Sequence, residues 1–435
     1  MDIWKVIAEF LGIQGVFFED IKQYRKDRKA LLKVRLKRSH CFCEVCGLEL
    51  GNIKDWQFKK VQGPSLGIYQ QIFITVFFPR AWCEGCQKNR PAHVPWIHKM
   101  FPSMTCGFAE LAGRVMEETT CRATSRLLGT SPRKMWELDE YRMQRMLQYM
   151  RLPDDMDLSF LSADEVHFLT LRRERKSIFS KKYEPKFITN LVSYVDSKVL
   201  FNASGRGKEA LAECFKVLSP GQRLCVEKVA VDMHDPFIKA IQEHLPNAEV
   251  CVDRFHLTQS LNRCFDEVRR SELKKAKDQF TQGMLAPSRR FVLVQKDQKL
   301  SKGDEKLLDK LRRLNTNIHN GMLLVEYFHN MLQRKSISPF RKELLQWYCL
   351  VRESKLKPFR RLARLIRKYR SNIEAYILTR LTTSVSEGIN NKIKTLKRMA
   401  YNYTNEFSFR LKVLQRCGYL NSYWINTDKW LYTSD

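Results

Sequence analysis

Two Cys-x-x-Cys knuckles, Cys43-Glu-Val-Cys46 and Cys83-Glu-Gly-Cys86, constrain this chain more than any other feature. Each knuckle offers two thiolates, and four thiolates close a tetrahedral zinc site with no open position. A shared ion would pin the two knuckles together and shape the intervening chain into a ribbon. Residues 56–61 and 68–78 alternate apolar and polar side chains as the strands of that ribbon would. The ligand register has alternatives: Cys41 competes with Cys43, and His40, His93 and His98 are further candidates. An odd count of thirteen Cys over 435 residues argues against a disulfide framework and for reduced thiols. The eight Cys outside this cluster read as small buried hydrophobes.

The partner is indicated by charge. Lys+Arg number 77 against 47 Asp+Glu, a net charge of +30. Phosphate backbones are drawn to such a surface through counterion release, so nucleic acid is the expected partner. The basic residues are spread along the chain rather than gathered on one apolar-faced helix, which argues against a membrane surface. No segment approaches the roughly 20 apolar residues needed to span a bilayer. Met-Asp-Ile-Trp-Lys lacks a signal-peptide pattern, and a cytoplasmic protein is expected.

Residues 107–148 read as helices at 108–118, 123–128 and 132–146. Gly129-Thr-Ser131 is a short turn ending in a Ser N-cap, with Pro132 at the first helical position. This is the sequence form of a helix-turn-helix. Its second helix would carry Arg133, Lys134, Trp136 and Arg142 toward DNA. A plain helical bundle is the competing reading.

Beyond Arg151, strands alternate with helices. A strand is predicted over 158–164, then a hairpin of 187–195 and 198–203 turning at Asp196-Ser197. A helix at 209–217, a strand at 228–232, a helix at 235–245 and a strand at 249–252 follow. That order is the order of a ribonuclease-H-like mixed sheet, an α/β fold. From about 254 to 375 no strand-like run occurs, which suggests an all-helical insertion. The expected domains are a zinc ribbon at 1–100 and a helix-turn-helix at 101–152. The first part of the core follows at 153–253, the insertion at 254–378 and the C-terminal helical part of the core at 379–435.

The stretch Ser384–Tyr401 is a basic amphipathic helix. Ile389, Ile393, Leu396 and Ala400 form one stripe; Glu387, Asn390, Asn391, Lys394 and Arg398 form another. A carboxylate that shares a face with amides and cations can hold a metal beside a polyanion. Asp164 ends the first core strand and Asp232 the fourth, and these strands are neighbours in a ribonuclease-H-like sheet. Glu387 would arrive on a helix packed across the same edge. Three carboxylates can bind two Mg²⁺ or Mn²⁺ ions about 3.5–4 Å apart. A single Asp after an apolar run is more often a loop or N-cap residue, but three in matching contexts favour the metal reading. Glu165 and Asp235 are the alternatives to their neighbours.

Together these pieces resemble the bacterial insertion-sequence transposases of the ISL-three family along nearly the whole chain. The resemblance rests on the paired Cys knuckles, the helix-turn-helix, Ala163-Asp-Glu165, Val231-Asp-Met233 and Asn247-Ala-Glu-Val-Cys-Val-Asp-Arg-Phe-His256. Its most specific blocks are Asp253-Arg-Phe-His256 and Glu387-Gly-Ile-Asn-Asn-Lys-Ile-Lys394 with Lys397-Arg398. It implies a catalytic acid triad of Asp164, Asp232 and Glu387. It also implies Mg-dependent cleavage and strand transfer of an element whose terminal inverted repeats the N-terminal domains bind. Asp253 and His256 look like a D-x-x-H pair, with His256 contacting a flipped base or scissile phosphate, or bracing the site. Lys392, Lys394, Lys397 and Arg398 would track phosphates without reading sequence. Two departures stand out. Thr383-Ser384 replaces the usual Thr-Asn, and Tyr401-Asn402-Tyr403 carries Asn where Gly is usual; neither is a proposed metal ligand. A homodimer or higher assembly on double-stranded DNA is expected, because two element ends and a target must meet, and the protein would be nucleoid-associated. The competing functions are a catalytically inactive, zinc-containing DNA-binding regulator and a structure-specific nuclease that joins no strands.

Overall fold

The computed structural model describes residues 3–173, 182–287, 302–400 and 403–425. The chain forms two compact units: Met1–Arg151 with Lys394–Asp435, and Leu152–Ile393.

The first unit opens with a helix, Ile3–Leu11, and a five-stranded sheet. Its strands are β1 (Val16–Tyr24), β2 (Lys29–Leu36), β3 (Ile53–Gly63), β4 (Gln71–Cys83) and β5 (Lys88–Pro91). They lie in the order β1-β2-β4-β3, with β5 beside β4. Strands β3 and β4 are the ribbon expected between the knuckles. Strands β1 and β2 were not anticipated, although Ala30, Leu32, Val34 and Leu36 alternate with Lys33 and Arg35 at the strand period. One face is buried by these residues together with Val61, Ile72, Ile74 and Val76. The other face leaves Phe17, Arg35, Phe58 and Lys60 exposed.

Three helices follow, Cys106–Glu118, Cys121–Leu128 and Pro132–Tyr149. The side chains of Thr105, Thr120 and Ser131 cap their first turns by accepting from Phe108 N, Ala123 N and Lys134 N. Gly129 ends the middle helix in the left-handed region at φ 62°, where a Cβ would also strike Gln71. The turn expected at 129–131 is therefore present.

The helix Glu406–Cys417 also belongs to this unit, which corrects its placement in the catalytic core. Its Lys412 is buried, and Nζ donates to Asp139 Oδ2 at 2.7 Å and to the Met116 carbonyl at 2.9 Å. Arg142 needs correction as well. Its guanidinium is fully buried, 3.0 Å from both Glu117 and Glu110, so it braces the helices rather than facing DNA. Gly113 is required there, because a Cβ would stand 2.2 Å from the Arg142 guanidinium.

The second unit carries β6 (Phe160–Arg173), β7 (Lys182–Ser193), β8 (Lys198–Ser204), β9 (Lys228–Val231) and β10 (Glu249–Val252). Their order is β10-β9-β6-β7-β8. Strand β6 pairs antiparallel with β7 and parallel with β9, and β9 pairs parallel with β10. The β7–β8 turn falls at Ser197, with φ 54°. Among the described residues, the chain from Arg254 to Thr379 forms helices only. Phe265, Phe328, Phe340, Trp347 and Phe359 are buried there. The helix Ser384–Met399 follows; residues 401 and 402 lie outside the described residues. Among the described residues, no helix is long and apolar enough to cross a membrane.

Candidate active site and cysteine cluster

Adjacent parallel strands bring the first two acids together. Ser162 of β6 stands opposite Ala230 of β9; two residues further along come Asp164, still within β6 (which runs on past the expected end at 164), and Asp232, just beyond the end of β9. Asp164 is held from two sides. The Glu165 amide donates to Oδ1 at 2.8 Å and the Asn390 side chain donates to Oδ2 at 2.7 Å. Burial, then the charge of Asp232, pushes the Asp164 carboxyl up to about 7. Such repulsion is relieved by a cation between the carboxylates.

His256 Nε2 lies 2.5 Å from Asp232 Oδ1. Burial works against the charged imidazole. The bond to Asp232, with the charges of Asp232, Asp253 and Asp164, outweighs it and raises the His256 pKa. Asp253 is structural in its contacts: it caps the helix Arg254–Lys275 through Phe255 N at 3.1 Å and accepts from the Thr383 hydroxyl.

Polar pairs lock the helix Ser384–Met399 to the sheet. Ser386 donates to Ser162 at 2.7 Å, and Asn190, opposite Asp164 on β7, donates to Asn390 at 3.4 Å. Ile389 and Ile393 are buried as the amphipathic stripe requires, whereas Leu396 is half-buried and Ala400 exposed. Glu387 lies one turn before Asn390 and is exposed, as are Asn391, Lys394 and Arg398. Lys397 is half-buried.

Of the alternatives, Asp235 is engaged by Lys368 and by the Tyr369 hydroxyl at 2.5 Å. Glu165 stays near the site: burial, then Asp232, raises its pKa, and the charges of His234 and Arg206 oppose the rise. Ser162, Asn190, Thr383 and Ser386 were missed. Their available signal was small polar residues within otherwise apolar strand and helix faces.

The thiols of Cys43, Cys46, Cys83 and Cys86 lie within 4.8 Å of one another, the one such ligand group among the described residues. The triad acids are therefore not drawn into an equally tight group. Cys43–Cys86 is 3.8 Å and Cys46–Cys83 is 3.2 Å. Sulfurs on a tetrahedral ion with bonds of about 2.3 Å sit about 3.8 Å apart, so the cluster is compatible with zinc. Cys41 turns instead to the Lys37 carbonyl, and His98 Nδ1 accepts from Phe101 N.

On the helix Pro132–Tyr149, Arg133 is exposed beside Glu137 at 2.9 Å and Trp136 is exposed. Lys134 Nζ is 3.4 Å from Ser103 Oγ.

Residues 175–413, more than half of the chain, match a family described as transposase. The chain belongs to the ISL-three family of transposases. It is 24% identical over 412 residues to the transposase for insertion sequence element IS1001 of Bordetella parapertussis, covering 94% of this chain and 97% of that one. It is 21% identical over 257 residues to the transposase for IS1557 of Mycobacterium tuberculosis, covering 54% and 58%. The Drosophila P element transposase strand transfer complex overlaps 74% of this chain and 92% of that chain, at 12% identity and a TM-score of 0.36.

Proposed function

We propose that this transposase binds the terminal inverted repeats of its element and cuts and joins DNA there, using Asp164, Asp232 and Glu387. The observation that carries this reading is the β6–β9 register: Asp164 within β6 and Asp232 just past the end of β9 each lie two residues beyond the paired Ser162 and Ala230, and the charge of Asp232 acts on Asp164. The strand order also supports a ribonuclease-H-like core. An oxygen-rich set of carboxylates suits Mg²⁺ or Mn²⁺, which would activate the attacking hydroxyl and stabilise the leaving oxygen. Acids that ligate different ions of a pair need not approach as closely as the four thiols do.

The protein's own groups set the geometry. Asn390 and the Glu165 amide fix both oxygens of Asp164, and the same helix delivers Glu387. His256, its pKa raised by the bond to Asp232, can hold a proton near the scissile phosphate. Asn391, Lys394, Lys397 and Arg398 position the backbone, and Arg133 and Lys134 sit on the second helix of a helix-turn-helix. Zinc on Cys43, Cys46, Cys83 and Cys86 braces the ribbon. Two ends must meet, so a homodimer or larger assembly on DNA is part of the proposal.

Asp232→Asn should keep binding to inverted-repeat duplex and lose Mg-dependent cleavage. Wild-type cutting of a supercoiled donor plasmid by that variant would overturn the assignment. The regulator reading draws on one observation, the exposed Glu387 outside a tight acid cluster; for a regulator, the wild-type chain would bind the same DNA and leave it uncut.

A further inference from the structure

Strand pairing in the first unit lines up one transverse row of side chains. Phe17 of β1 faces Arg35 of β2, Arg35 faces Phe77 of β4, and Phe77 faces Phe58 of β3. The adjacent row reads Asp20, Lys33, Thr75 and Lys60. Phe58 is 68% exposed, Phe17 59% and Trp56 41%. The rings and cations interleave: Arg35 lies over Trp56 at 4.8 Å, Lys37 over Phe17 at 4.9 Å, and Lys60 and Lys29 over Phe73 at 4.9 and 5.3 Å. Phe58 and Phe77 stand 5.9 Å apart. Lys29, Lys33, Arg35, Lys37 and Lys60 outnumber Glu19 and Asp20, and Glu19 is already paired with Arg35.

An exposed apolar residue on its own needs no explanation, but a contiguous row does. A face built for a second protein copy would not thread four cations through its rings. A face built only for duplex phosphates would need no rings. Aromatic platforms flanked by backbone-tracking cations suit unpaired bases, because every base has a π-face on which to stack.

We infer that this sheet face binds single-stranded DNA, of the kind exposed at a cut or melted element end. The inference rests on the DNA reading above and extends it to a site remote in sequence from the acids. The test uses the full chain and fluorescence anisotropy with labelled oligothymidylate and with a blunt duplex. Trp56→Ala with Phe58→Ala, both solvent-facing, should lose about tenfold or more in affinity for oligothymidylate. Its duplex affinity and melting temperature should stay at wild-type values. Equal loss on both ligands would mean a phosphate surface only, and no loss on oligothymidylate would also overturn the inference. So would dissociation of a homo-oligomer with single-strand binding unchanged. Asp232→Asn should retain oligothymidylate binding. A wild-type chain that cuts donor plasmid without binding oligothymidylate would sink this inference and leave the catalytic reading standing.

Discussion

Asn390 Nδ2 donates a 2.7 Å hydrogen bond to Asp164 Oδ2, joining residues 226 positions apart in the chain. With the Glu165 amide on the other oxygen, the carboxylate is oriented before any cation arrives. Glu387 stands one helical turn away from Asn390, so the helix that steadies one acid also presents another.

Removing that amide should therefore impair chemistry rather than binding. Asn390→Ala is expected to cut donor plasmid roughly tenfold to a hundredfold more slowly, with inverted-repeat binding unchanged. Single-turnover nicking rates beside gel-shift affinities check this. An undiminished rate would show that Asp164 does not need the Asn390 amide.

Acidity should tune stability in a defined direction. The Asp164 carboxyl is raised from its usual 3.8 to about 7, so the folded protein keeps a proton there that the unfolded chain releases. Stability should fall as pH rises from about 4 to about 7. Asp164→Asn should flatten that fall, and Mg²⁺ should raise the melting temperature more at pH 8 than at pH 5. Calorimetric scans that show no Mg²⁺ effect at pH 8 would contradict a cation between these acids.

The thiol cluster makes a stoichiometric prediction. Purified protein should carry about one zinc per chain, and Cys46→Ser should lose both metal and thermal stability. Cys41→Ser should keep its zinc, because Cys41 contacts the Lys37 carbonyl instead. Elemental analysis of the two variants decides between the registers.

Arg142 and Arg133 should behave oppositely although they share a helix. Arg142→Ala leaves Glu117 buried without its cation and should cost about 3–5 kcal/mol in urea unfolding. Arg133→Ala should change stability by no more than about 0.5 kcal/mol while weakening duplex binding. The reverse pattern would restore Arg142 to the DNA surface.

The sequence was most readable where a periodic pattern ended in a chemically distinctive residue. Apolar runs leading into Asp164 and Asp232, the capped turn at 129–131 and the paired knuckles all have local signals, although the strand expected to end at Asp164 runs on to Arg173. Arg142 was misread because helical spacing gives a direction only relative to a partner, and the partner, Glu117, lies on another helix. Lys412 is likewise fixed by a partner distant in sequence, Asp139, which no local pattern pairs with it. Strands β1 and β2 had legible alternation that was overlooked. Ser162, Asn190 and Ser386 matter only through cross-chain pairs that no local pattern announces.

Lys412 also sets an order of events during synthesis. About 240 residues separate the two segments of the first unit. At roughly 5–20 residues per second, the three N-terminal helices wait some ten to fifty seconds on the ribosome before the side chain that neutralises Asp139 emerges. The first unit is thus among the last parts of the molecule to mature, and a nascent chain released early would lack it.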